Sequence, residues 1–82
     1  MRSKLKRIAV DPKILGGKPV VKGTRIPVYL VVELLASGMT EAEILKEYPG
    51  LHRDDIRAAL ECASKILREE EAIPIEAQWR PP

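Results

Sequence analysis

Phenylalanine is absent from this chain of 82 residues, and aromatic side chains make up 4% of it. Any core must therefore be assembled from Leu, Ile, Val and Ala. A single cysteine, Cys62, excludes an intramolecular disulfide and points to a reducing compartment. A single histidine, His52, has no second imidazole, thiol or nucleophile to work with, so a surface or capping role is expected of it. The longest apolar run, Val28 to Ala36 broken by Glu33, falls short of the roughly 20 residues that a membrane helix needs. No apolar stretch follows the basic start Met1-Arg2-Ser3-Lys4, which argues against a secretory leader. Lys18 after Gly16-Gly17 resembles the end of a phosphate loop, but Pro19 follows it where Ser or Thr is required. Asp54 and Asp55 are adjacent and diverge on a helix rather than converging on a metal. These absences leave a cytoplasmic protein with no membrane span, no metal, no cofactor and no catalytic residues as the expectation.

What is present fits one small domain. The charge is unevenly spread. Residues 1–25 carry +7, residues 26–51 carry −3 and residues 52–82 carry −2. A basic segment on a mildly acidic body suits a polyanion or an acidic partner, while a frayed, solvated terminus explains the same charge without any partner. The chain divides into a flexible basic arm (1–7), a single domain (8–71) and an extended tail (72–82).

The stretch from Gly16 to Val28 connects the basic half to the helical half. Gly16-Gly17 permits a sharp turn. Pro19 to Lys22 has the β-branched character of a strand edge, Gly23 interrupts it, and Thr24-Arg25-Ile26 resumes it. Pro27 suits the first turn of a helix. Upstream, Ile8-Ala9-Val10 reads as a short strand ended by Asp11-Pro12.

From Val28 the period becomes helical. Val28, Val31, Val32 and Leu35 share one face, and Gly38 marks the stop. Thr40-Glu41-Ala42-Glu43 is a capping box, with Met39 and Ile44 as its hydrophobic staple. The second helix then runs from about Glu41 to Tyr48, ended by Pro49-Gly50. Leu51 and Ile56 repeat the staple around a start near His52 or Arg53, with Asp54 and Asp55 in the dipole-favoured first turn. Ile56, Ala59, Leu60, Ala63, Ile66 and Leu67 mark the inward face of this third helix, and Cys62 reads as a small buried side chain. Pro74 prevents its continuation. The fold class is mainly α: short N-terminal strands or a hairpin, then a three-helix, winged-helix-like helix-turn-helix bundle.

A helix pair joined by a Gly turn also occurs in plain bundles, so two functions stay open. In the first, Lys18, Lys22, Arg25, His52, Arg53 and Arg57 contact DNA, with Lys4, Lys6 and Arg7 as further phosphate candidates. Asp54 and Asp55 count against a DNA-facing third helix. In the second, the chain is a protein-interaction module or structural dimer. Its partner contacts are then Lys22, Arg25 and the tail residues Ile73, Ile75 and Trp79.

The string Gly16-Gly17-Lys18-Pro19, Lys22-Gly23-Thr24-Arg25-Ile26-Pro27-Val28 is long and unusual. Together with Asp11-Pro12, Leu35-Ala36-Ser37-Gly38-Met39-Thr40, Glu43-Ile44-Leu45, Tyr48-Pro49 and Asp55-Ile56, it resembles domain-of-unknown-function family 433 over about residues 8–67. The resemblance implies an antitoxin of a toxin–antitoxin pair with a helix-turn-helix-type fold. Such a protein binds a PIN-like ribonuclease toxin, represses its own operator DNA and works as a homodimer. On this resemblance Arg25 is the basic residue that would pair with the nuclease carboxylates.

Overall fold

A computed structural model describes residues 3–69 of the chain. Two short strands, β1 (Ile8–Ala9) and β2 (Val20–Val21), precede three helices, α1 (Val28–Ala36), α2 (Glu41–Glu47) and α3 (Arg53–Glu69). The strands pair antiparallel, Ile8 opposite Val21 and Ala9 opposite Val20. The molecule is a small, mainly helical domain behind a two-stranded ribbon, the class anticipated from the sequence.

The Gly16–Val28 stretch folds by the logic of its composition. Leu15, Gly16 and Gly17 all take positive φ (50°, 67° and 87°). The two glycines do so at no steric cost, whereas Leu15 bears about 1–2 kcal/mol for it. The chain next reverses over Val21–Thr24, with the Thr24 N–H bonded to the Val21 carbonyl at 3.0 Å and Gly23 at φ 82°. That is the turn geometry in which only glycine is unstrained at the third position. The Thr24 hydroxyl closes the turn, donating to the Val21 carbonyl at 2.7 Å and accepting from the Ile26 N–H at 3.0 Å. The Val28 N–H then reaches the Pro19 carbonyl at 2.9 Å, so the start of α1 is held by the ribbon that precedes it.

The helix ends follow the local signals. After α1, the Gly38 N–H bonds the Leu35 carbonyl and the Met39 N–H bonds the Leu34 carbonyl, a Schellman stop with Gly38 at φ 102°. At α2 both halves of the capping box form: Glu43 N–H to Thr40 Oγ1 at 3.1 Å and Thr40 N–H to Glu43 Oε1 at 2.8 Å.

The core joins Val21, Val28, Val31, Ile44, Leu51, Ile56, Ala59 and Cys62. Every helix contributes to it, and β2 closes one side. Two expectations need correction. The spacing puts Leu60, Ile66 and Leu67 on the inward face of α3, yet all three are exposed: the buried side chains of α3 end at Cys62, short of Ile66 and Leu67, and Leu60 lies off the buried face that Ala58, Ala59 and Cys62 form. The composition of segment 1–7 predicts a flexible arm. Its described part, residues 3–7, forms a 3-10 turn over Leu5–Arg7 and lies along α3.

Candidate functional site

The first turn of α3 is built around Asp55. Leu51 is buried and pins the preceding turn to the core, with its N–H on the Tyr48 carbonyl at 2.9 Å. This sets His52 immediately before the helix, where its N–H donates to Asp55 Oδ2 at 2.8 Å. Asp55 Oδ1 accepts from Arg7 Nη1 at 3.0 Å. Asp55 is only 5% exposed, and both of its oxygens are engaged. A buried carboxylate is tolerable under such conditions, since each of its oxygens keeps a donor in place of water.

The neighbouring acids are engaged too. Asp54 Oδ2 lies 3.4 Å from Lys4 Nζ and 3.7 Å from Arg7 Nη2. Two turns along, Glu61 takes the Lys4 N–H on Oε1 at 2.8 Å and the Ser3 hydroxyl on Oε2 at 2.7 Å. The bond from the Lys4 backbone, followed by that from Ser3, holds the Glu61 carboxyl below its ordinary range. Burial pushes the Cys62 thiol up. Residues 3–7 thus form a strap across the acidic face of α3. Lys4 and Arg7, expected as free phosphate ligands, spend their charge on that face instead.

With Asp54 and Asp55 so neutralised, cations dominate the exposed part of this end. His52, Arg53 and Arg57 are exposed on or beside the first turns of α3. Arg53 also meets Glu41 across the surface, Nε to Oε1 at 3.4 Å, a solvated pair of small energetic weight. Lys22 and Arg25 are exposed on the β2 turn. The Lys22 N–H bonds the Arg7 carbonyl at 2.7 Å, which ties that turn to the strap. A cleft of about 320 Å³ between ribbon and helix is lined by Lys6, Arg7, Lys22 and Asp55. Lys6 and Lys22 form no ion pair among the described residues.

Lys18 belongs to a different place. Its Nζ sits 5.7 Å from the centroid of the Tyr29 ring, within cation–π range. Both residues line an apolar groove of about 390 Å³ between α1 and the C-terminal half of α3, together with Val32, Ile66 and Leu67. Along α3, Asp55 and Ile66 are about 16 Å apart at 1.5 Å per residue. Five of the six residues expected at DNA therefore decorate the ribbon turn and the start of α3, and the sixth, Lys18, lines the groove. Ile73, Ile75 and Trp79 lie outside the described residues.

The pairing of strap and helix was not readable from spacing, because the partners are 48 to 58 positions apart. The signal available was charge: +7 in residues 1–25 against Asp54, Asp55 and Glu61, three of the four acids of α3. Among the described residues, no group of three His, Cys, Asp or Glu is placed to hold a metal ion, and no helix is long and apolar enough to cross a membrane.

Comparison with known proteins gives the family but no activity. An uncharacterised protein of Sinorhizobium fredii, y4eO, is 44% identical over 52 residues, covering 63% of this chain and 24% of that protein. An uncharacterised protein of Archaeoglobus fulgidus is 62% identical over 24 residues, covering 29% of this chain and 67% of its own length. The chain thus spans about a quarter of the first relative and two thirds of the second. Among solved structures, that of a DUF433 member protein from Anabaena variabilis superposes with a TM-score of 0.72 at 32% identity, covering 76% of this chain and 61% of that one. The family model described as a protein of unknown function, DUF433, matches residues 8–63, which include the ribbon, α1, α2 and the buried part of α3, and the chain belongs to that family.

Proposed function

We propose that the protein is a DNA-binding antitoxin that neutralises a PIN-like ribonuclease toxin and represses its own promoter as a homodimer. The observation that carries the DNA part is the state of Asp54 and Asp55. Two carboxylates in the first turn of a recognition helix would repel phosphate, but Lys4 and Arg7 pair with them, and Asp55 is turned out of solvent. His52, Arg53, Arg57, Lys22 and Arg25 remain exposed around them. Exposed cations at a helix start and on the ribbon turn support a reading of phosphate contact. The toxin part draws on the family resemblance, with Arg25 on the exposed ribbon turn as the cation offered to the nuclease carboxylates.

A second reading, a protein-interaction module without DNA binding, is favoured by the apolar groove that contains Tyr29, Ile66 and Leu67. Fluorescence anisotropy on the DNA upstream of its own gene and on a scrambled duplex separates the two. The antitoxin reading expects a preference of roughly a hundredfold or more for the cognate DNA. Equal affinity for both duplexes, or no binding at low salt, contradicts repression and leaves the interaction module.

A further inference from the structure

The C-terminal third of α3 carries more apolar surface than the described residues cover. Its buried residues end at Cys62, yet the apolar face continues for more than a further turn through Ala63, Ile66 and Leu67. Ile66 is 41% exposed, Leu67 58% and Tyr29, facing the same groove, 51%. A helix face that is apolar beyond its own core calls for a partner surface. The charges in the groove say which partner. Lys18 and Glu33 are the two charged residues lining it, and they have opposite sign. Neither forms an ion pair among the described residues.

The geometry points to a second copy of this chain as the occupant. In a two-fold contact the same patch meets itself, so a patch holding one cation and one anion beside an apolar floor is self-complementary. Leu67 and Ile66 of one protomer enter the groove of the other, and Lys18 of each faces Glu33 of its partner. The contact lies about 16 Å along α3 from the basic end, so the two basic ends stay exposed in the dimer. An aliphatic core built of this few buried side chains also gains from a second copy, as small domains commonly do. This inference supplies the interface for the dimer invoked above and rests on that part of the reading; it is independent of DNA binding.

The test is sedimentation equilibrium of the full chain over a wide concentration range. The expected wild-type species is a dimer in reversible equilibrium with monomer. Leu67→Glu, at an exposed position that leaves the core intact, is expected to yield monomer at every concentration, with an unchanged helical circular dichroism spectrum. Lys18→Glu and Glu33→Lys each place like charges together twice, and each is expected to weaken the dimer roughly tenfold. Combining the two swaps restores the wild-type constant. A dimer that ignores Leu67→Glu, or single swaps that weaken it while the double swap does not recover, overturns the proposal. So does a monomeric wild type, and the emission of Trp79, the one tryptophan of the chain, then identifies the chain's own tail as occupant if Leu67→Glu shifts it to the red. A failure of DNA binding leaves all of these readouts intact and is thereby distinguishable.

Discussion

Replacing Asp55 tests the construction of the α3 start. In Asp55→Ala the His52 N–H loses its side-chain acceptor at 2.8 Å, and Arg7 loses the shorter of its two carboxylate contacts. A side-chain cap is worth about 1 kcal/mol, and a hydrogen bond to a charged group about 1.5–3 kcal/mol. The second figure is discounted, because the Arg7 side chain is 35% exposed and regains water. The net loss is then about 2–3 kcal/mol, which in a domain of this size lowers Tm by about 10–20 °C. Asp55→Asn keeps an acceptor for His52 but not the charge, so it is expected to lose about half as much. A double-mutant cycle of Arg7→Ala with Asp55→Ala, followed by urea denaturation, isolates their coupling at about 1 kcal/mol or more. A coupling near zero, or Asp55→Asn as damaging as Asp55→Ala, refutes the reasoning.

Other consequences are local. Glu61 is held below its ordinary pKa in the folded state, so it stabilises the fold above the unfolded carboxylate value of about 4.3 and ceases to as the pH falls through its lowered value. The stability gap between wild type and Glu61→Gln, measured by urea titration, is therefore expected to be fully open at neutral pH, to narrow as the pH falls below the unfolded value of about 4.3, and to close only below the lowered folded value. Gly38→Ala meets no atom within 4 Å but keeps the strained φ of 102°. It is expected to cost about 1–2 kcal/mol in thermal unfolding without altering the helix content. Cys62, buried and with its thiol pKa raised, is expected to react with aromatic disulfide reagents only as fast as the domain opens; reaction at the rate of a free thiol would contradict the core assignment.

The parts of the fold that could be read in the sequence were those decided by neighbours in the chain. The capping box of α2 and the Gly38 stop depend on residues within a turn of one another, and both form as the spacing predicts. Gly23 and Thr24 likewise determine the ribbon turn without help from elsewhere. The strap could not be read in this way. Its pairing with Asp54, Asp55 and Glu61 is a long-range choice among many possible cation–acid pairs, and the arm's composition equally suits a solvated tail. The same long-range blindness misplaced Ile66 and Leu67: periodicity identifies a common face but not where the core behind it stops. At the site, Lys22, Arg25, His52, Arg53 and Arg57 are exposed where their sequence positions suggested, while Lys18 was separated from them by the path of α1 against α3.

The central claim, that the α3 start and the ribbon turn contact phosphate, is tested most directly by the salt dependence of DNA affinity in wild type and in a Lys22→Ala/Arg57→Ala variant. Each phosphate contact contributes about −0.9 to the slope of log affinity against log salt. The variant, whose two positions lie on the exposed surface, is expected to fold as wild type and to bind with a slope shallower by about 1.8. A slope unchanged by the double substitution would show that DNA, if bound at all, is held elsewhere on the molecule, and would contradict the account.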